Sequence, residues 1–367
     1  MTTYRAAVIG LGRMGSTFDD EISEGNSIFL PYCHAPSYVA AANIDLVAGA
    51  DPHQEQAAIF AERWGLGEDH VYADYREMIE KEKLDLVSVC TTARVRSQIV
   101  QDLAAAGVKG IWAEKPISLN LADADAMVEA CHKSGTALAI NCARRWNPYY
   151  SEARRRIDEG ELGTILQVTG YGECGLSHNG SHLIDTVRYL AGGQVEWVFG
   201  EMISDAAAAS DEDPQGNGYL AFDNGVRGYV RGMPCGAANW TIEAIGEKGS
   251  FRYNESGTHI ELIKMQEGGR RGQPVQCPMP LPARIPGMGI TILDDIVDAI
   301  ENGGAPRCSG EDGRAALEIA VALRQSHRRG GIKVALPIED RSEQILSAEI
   351  KQDSTPARVR RLEAEKA

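Results

Sequence analysis

The sequence predicts an α/β protein in two parts. A doubly wound parallel sheet comes first, followed by an α+β unit with a large, mostly antiparallel open sheet. Three observations predict it. An apolar run, Ala6 to Ile9, enters Gly10-Leu11-Gly12-Arg13-Met14-Gly15. Strand-like and helix-like segments then alternate to about residue 150, the pattern of a parallel sheet with crossover helices. After that, strand-like runs follow one another across short turns.

In the first part, strands are expected at 5–10, 44–50, 86–91, 110–113 and 137–141, and helices at 54–64, 74–82, 94–106 and 121–134. In the second, a basic helix at 151–159 and the turn Gly160-Glu161-Leu162-Gly163 lead into strand-like runs. These lie at 164–172, 195–205, 218–222, 226–231, 240–245, 250–253 and 258–264, with a helix at 178–190. Asp223-Asn224-Gly225 has hairpin-turn chemistry. Residues 270–286, rich in Gly and Pro, are expected to be a loop. Helices at 289–302 and 311–329 and a strand at 332–336 are expected to close this second unit. The charged tail, 342–367, is expected to be a solvated arm or an oligomer contact.

The glycine pattern follows a predicted strand, and that context gives it a mechanism. Gly10 permits a tight turn and Gly12 lets a pyrophosphate approach the backbone. Gly15 lets a following helix pack close, with its N-terminus toward the phosphates. A reader of nicotinamide dinucleotides also needs an acid after the second strand, to hold the ribose 2′-hydroxyl. Asp51 follows Ile44–Ala50, 36 residues beyond Gly15, where about 20 is usual. The excess lies in 16–36, an enlarged connection that could be a ligand-contacting lid or a surface excursion. Asp51 would repel a 2′-phosphate, and no Arg or Lys follows closely, which favours NAD, with NADP as the alternative.

A chain of 367 residues suits two domains. At 43% hydrophobic and 24% charged it has the composition of a soluble protein, and no apolar run is long enough to span a bilayer. No basic n-region precedes an apolar segment, so a cytoplasmic protein without signal peptide is expected. A net charge of −15 disfavours nucleic acid and anionic membranes as partners. The eight cysteines form no C-x-x-C pair and are expected to be reduced core thiols, with no metal site.

Three further stretches carry candidate chemistry. Lys115, in Ala113-Glu114-Lys115-Pro116 at a strand end beside the crevice, could bind a substrate hydroxyl and stabilise its alkoxide, or be a surface lysine. His178 and His182 are spaced i, i+4, and Asp185 stands i+3 from His182. Asp185 could orient His182 as a general base; the pair could instead hold a metal, for which no third ligand is evident, or be structural. In Arg144-Arg145-Trp146-Asn147-Pro148, Arg145 could reach an anionic or hydroxyl-rich ligand, or form an interdomain salt bridge around a core Trp.

Taken together, GLGRMG, AEKP at 113–116, RRWNP at 144–148, GELG at 160–163, HLID at 182–185 and the stretch 309–331 resemble the Gfo/Idh/MocA oxidoreductases. The likeness spans roughly 4 to 338. It implies an NAD(P)-binding Rossmann domain at 4–125 and a substrate and oligomerisation domain at 135–338, whose open sheet often forms a subunit interface. It also implies NAD(P)-dependent oxidation or reduction of a sugar, inositol or related polyol in a homodimer or homotetramer. Lys115 and His182 would do substrate positioning and proton transfer, with Asp185 behind His182. Thr91, Thr92, Glu114 and Lys115 would join Gly10 to Gly15 and Asp51 around the cofactor. Arg145, His178 and Asn179 would join Lys115 and His182 around the substrate.

Three departures stand out. The segment 91–96 lacks the Pro and His common in the family, and His178 occupies a position often held by Asp. The enlarged loop 16–36 could bring Tyr32 or His34 over the site. Two other functions are compatible with the resemblance: a redox-assisted glycoside hydrolase or lyase that regenerates its NAD, and a non-catalytic dinucleotide sensor.

Overall fold

The computed structural model describes residues 2–22, 29–236, 240–255, 259–266, 268, 272–280 and 286–346. Six strands form the first sheet: β1 (Tyr4–Ile9), β2 (Ile44–Ala50), β3 (Val71–Tyr72), β4 (Leu86–Val89), β5 (Gly110–Ala113) and β6 (Ala137–Ile140). All pair in parallel, in the order β3-β2-β1-β4-β5-β6. β1 is buried at all but one position, and β4 and β5 at every position, as strands covered on both faces require. The strand order reverses between β1 and β4. The crevice beyond their C-terminal ends is therefore the place where such a sheet takes a ligand.

The helices α2 (Gln54–Trp64), α3 (Tyr75–Lys81), α4 (Ala93–Ala105) and α5 (Leu121–Ser134) fall within a residue or two of expectation. Two elements do not. β3 is a two-residue edge strand too short to show a period. The helix expected directly behind Gly15 is a single π-helical turn, Arg13–Thr17, and the first regular helix is α1 (His34–Ala40), inside the supposed loop. Asp19 supplies the reason. Its carboxylate turns back to accept the N–H groups of Tyr32 and Cys33 (2.8 Å to Cys33), so it ties off the early turn and caps α1 instead. Residues 23–28 of this connection lie outside the described residues.

The second sheet has nine strands, ordered β14-β13-β12-β11-β7-β10-β9-β8-β15. They are β7 (Ile165–Glu173), β8 (Val195–Met202), β9 (Gly216–Phe222), β10 (Arg227–Met233), β11 (Thr241–Gly246), β12 (Gly249–Asn254), β13 (His259–Gln266), β14 (Gln273–Cys277) and β15 (Val334–Ala335). Every pairing is antiparallel except β7 with β10. β14 lies in the stretch expected to be a loop: Pro274 sits on an edge strand, where its missing N–H costs no ladder bond. Among the other elements here are α6 (Pro148–Asp158), α7 (Gly180–Ala191) and α8 (Asp205–Ala209).

The closing helices, α9 (Met288–Asn302) and α10 (Gly310–Arg328), do more than finish the second unit. α9 packs on β5, β6 and α1, and α10 lies against α5 and β6 as well as β8. At Gly110 of β5 a Cβ would stand 2.8 Å from Ile296 of α9, so α9 roofs the first sheet. The start of the tail is likewise anchored. Ile345 is fully buried, Arg341 pairs with Asp125, and the Glu343 carboxylate accepts from Arg324 and Arg328. Residues 347–367 lie outside the described residues. All eight cysteines are free thiols, five of them buried, and among the described residues no helix is long and apolar enough to cross a membrane.

Candidate active site

The glycine motif closes against the end of β4. Gly10 has φ +89°, and a Cβ there would lie 2.8 Å from the Cys90 carbonyl carbon and 2.9 Å from the Thr91 nitrogen. A Cβ on Gly15 would meet the Gly10 carbonyl oxygen at 2.2 Å. Gly12 has nothing within 4 Å of a built Cβ, so its backbone faces open space. Two glycines thus permit packing and the third leaves bare backbone, which fits a pyrophosphate. Asp51 is buried at the end of β2; its Oδ2 accepts the Leu11 N–H and its Oδ1 the His53 N–H, both at 2.9 Å. The carboxylate therefore fastens the turn to the end of β2. Arg13 points its guanidinium into its own loop, on Glu21 (2.7 Å) and over the Phe18 ring. Thr91 carries a buried hydroxyl with no partner on the opposite lip, an orphaned polar atom that suits a bound dinucleotide.

Beyond β5, Glu114 is buried and all its oxygens are used. Oε1 accepts from Asn141 Nδ2 (2.7 Å) and faces His34 Nε2 (3.3 Å), and Oε2 accepts the Lys115 N–H (3.1 Å). Burial works to raise this carboxyl, but His34, Lys115 and Asn141 together bring it down to about 2. His34 stacks on Trp112 at 3.7 Å and bonds Ser88 Oγ; burial pushes its pKa down against the pull of Glu114. The inserted segment therefore uses His34 to brace Glu114 from behind, not to cover the cleft. Tyr32 stays half-buried, with burial raising its phenol and the charges of Arg144, Glu114 and Glu255 all reaching it. Arg96, with no equivalent among the expected site residues, donates to the carbonyls of Pro116 and Thr91, and burial lowers it to about 10.

The Lys115 ammonium donates to Asn179 Oδ1 at 2.9 Å and reaches the His178 carbonyl at 3.4 Å. Burial lowers its pKa against the pull of Glu114. The turn carrying His178 and Asn179 is held by Asp213, which accepts the N–H groups of Ser177 (2.7 Å) and His178 (2.8 Å). Asp213 was not foreseen: it lies 36 residues from Ser177, in a connection with no motif. Burial raises its carboxyl. His178 and His182 each have a buried Nδ1 without a partner. Burial first, then the Lys115 charge, brings His178 down to about 4 and His182 well below 6.5. Both imidazoles are neutral at pH 7.

Lys115, His178, Asn179 and His182 therefore come together, but Asp185 and Arg145 do not join them. Asp185 is fully buried and makes a two-pronged ion pair with Arg145 (2.8 and 2.7 Å), with no hydrogen bond to His182. Arg145 is also bound to both oxygens of Asp312 and to the Arg307 carbonyl. Asp312 in turn completes the capping box of α10. A carboxylate buried this deeply needs a guanidinium, and that demand outweighs the i, i+3 proximity to an imidazole. Beside Asp185, Cys142 and Cys308 offer sulfur atoms within 4.8 Å of each other and of its carboxylate; burial pushes the Cys308 thiol well up. Trp146 is a core residue, its Nε1 donating to Asp295.

The neighbouring Arg144 faces the cleft instead. It pairs through Nε and Nη2 with Glu255, both at 2.8 Å, and its guanidinium stacks over Trp240 at 3.9 Å. Trp240 has φ +55°, a strained left-handed backbone for an aromatic residue, and presents its ring to His182 at 6.3 Å.

A dinucleotide cradle at the switch point of a parallel sheet, opening onto a lysine and neutral imidazoles, defines a two-domain nicotinamide-dependent oxidoreductase. The chain belongs to the Gfo/Idh/MocA family: the family's NAD-binding Rossmann fold matches residues 4–142 and its C-terminal alpha/beta domain matches 154–336. It is 26% identical over 345 residues to a myo-inositol 2-dehydrogenase of Thermotoga maritima, covering 88% of this chain and 96% of that one. It is 28% identical over 325 residues to a D-apiose dehydrogenase of Paraburkholderia graminis, covering 78% and 82%. In fold it is similar to levoglucosan dehydrogenase in complex with NADH, with a TM-score of 0.76, 22% identity and coverage of 92% and 100%.

Proposed function

We propose that this chain is an NAD-dependent dehydrogenase acting on a carbinol, or the matching ketone, of a sugar, inositol or related polyol. The observation that carries the reading is the convergence of the Lys115 ammonium on the turn of His178 and Asn179, with the unpartnered His182 within reach of its charge. The named relatives supply the substrate class. Gly10, Leu11, Gly12 and Gly15 would hold the pyrophosphate, Asp51 the ribose, and Thr91, Thr92 and Glu114 the nicotinamide side. When bound, NAD supplies the two-electron acceptor. Lys115 donates a hydrogen bond to the reacting oxygen and stabilises it as its proton leaves. His182, kept neutral by burial, takes that proton. Asp213 orients the turn that fixes Lys115. Asp51 favours NAD over NADP by repelling a 2′-phosphate.

The test is to follow reduced cofactor with NAD or NADP and a panel of sugars, inositols and sugar acids. Turnover with NAD on one substrate group supports the reading. Release of an aglycone from glycosides without net NADH would replace it with redox-assisted hydrolysis. NAD binding with no turnover of any kind would leave a sensor. We also infer that a second copy covers the open face of the nine-stranded sheet. There Trp197 stacks on Tyr219, and Leu166, Phe199 and Tyr229 stand exposed. Sedimentation tests this, and a monomer at micromolar concentration would refute it.

A further inference from the structure

We propose that the substrate of this site carries a carboxylate beside its reacting carbinol, as an aldonate or uronate does; the inference rests on the dehydrogenase reading and narrows it. Donors and acceptors around the cleft are unequally used. Among the described residues, Glu114, Asp213 and Glu255 are already engaged inside the protein. Glu114 accepts from Asn141 and from the Lys115 N–H. Asp213 accepts two backbone N–H groups. Glu255 accepts from Arg144 on both oxygens and from the Tyr150 hydroxyl at 2.7 Å. The anionic side of the cleft is thus turned inward, against the walls.

The cationic side is not. Arg144 uses Nε and Nη2 on Glu255, and among the described residues its Nη1 has no hydrogen-bond partner. The guanidinium is one indole ring away from His182, across Trp240. Its charge works to lower both His182 and Lys115. The Lys115 ammonium has three N–H groups, and its protein partners are Asn179 Oδ1 and, at longer range, one carbonyl. The two imidazoles beside Lys115 are neutral and bring no counter-charge. A neutral polyol would leave the open edge of Arg144 without a charged acceptor. A carboxylate would fill it while the neighbouring hydroxyl meets Lys115 and His182. Charge-assisted bonds of this kind are about twice as strong as neutral ones.

The experiment compares matched pairs, each uronate with its parent aldose and each aldonate with its alditol, by kcat/KM with NAD. The acid is expected to be preferred by about tenfold or more, with added salt raising KM for the acid alone. Arg144→Lys keeps a cation for Glu255 but loses the second guanidinium edge. The double variant Arg144→Met with Glu255→Gln removes both charges, so no buried ion is orphaned. Both variants are expected to erase the preference for the acid and to change the neutral partner far less. Neutral substrates used as well as or better than their acids would overturn the inference and leave the dehydrogenase reading standing. If no member of any pair reduces NAD, that reading fails. The same compounds are then titrated by calorimetry into the NADH-loaded protein. Acid binding that the double variant abolishes upholds the carboxylate site, and equal or absent binding of acids rejects it.

Discussion

Two clusters meet at helix α7, yet they are built on contrary rules. The lower one, Arg145 with Asp185 and Asp312, is saturated: both prongs of the guanidinium and both carboxylates are bonded, and Asp185 has no exposure. The upper one, Lys115 with His178 and His182, leaves two imidazole nitrogens buried without partners and an ammonium held by one amide oxygen. A saturated cluster lowers the free energy of the folded chain by its own bonds. An unsaturated one costs stability until something binds. That contrast separates the residues that hold the site from those that act in it, although His182 and Asp185 lie within one turn of α7.

Substitutions in the two clusters carry opposite penalties. Lys115→Ala or His182→Ala should lower kcat by about two to four orders of magnitude, while the unfolding midpoint stays near that of the parent. Retained turnover in both variants would refute their roles. Arg145→Ala should do the reverse. It strands buried Asp185, a loss of about 3–5 kcal/mol measurable by urea unfolding, while turnover per folded molecule falls much less. Equal stability of Arg145→Ala and the parent would mean that the lower cluster is not what holds α7 and α10 together.

Much of the first region was legible in the sequence because its physics is local. Parallel strands buried on both faces read as apolar runs, and Gly15 is required by its contact with the Gly10 carbonyl inside the same turn. Lys115 and His182 were legible because they sit at strand and helix ends inside recognisable motifs. What was missed is held by distant partners. Asp213 reaches the His178 turn across 35 residues, and Glu255 meets Arg144 across 111. Helix α1 was hidden because its cap, Asp19, lies 14 residues before Cys33. Asp185 and Arg145 were assigned to the cleft because sequence proximity shows which groups are near, but not which partner a buried charge will claim.

A smaller effect is expected at Asp51, which is bonded within the turn and is proposed to meet the cofactor ribose. Asp51→Ser should lower the preference for NAD over NADP by about ten- to a hundredfold, as the repulsion of a 2′-phosphate is removed. Kinetics with both cofactors checks it, and an unchanged ratio would assign Asp51 to bracing the turn alone.

The last effect is a dependence of stability on pH that should belong to the upper cluster. His178 and His182 have folded-state pKa values below the ordinary 6.5, brought there by burial and then by Lys115. A depressed folded pKa means that the unfolded chain takes the proton first. The stability they permit is fully present above pH 6.5 and is lost as pH falls below it, by up to about 1.4 kcal/mol per pH unit for each ring still neutral in the fold. The measurement is the difference in unfolding free energy between the parent and a His178→Ala, His182→Ala double variant, from pH 7.5 to 5. Carboxylates common to both cancel in that difference, including Asp185 and Asp213, whose raised values act in the opposite sense. The double variant should lose less stability on acidification than the parent. Parallel curves would mean that the imidazoles reach water more freely than their burial implies, and the division between a saturated and an unsaturated cluster would then fail at its upper half.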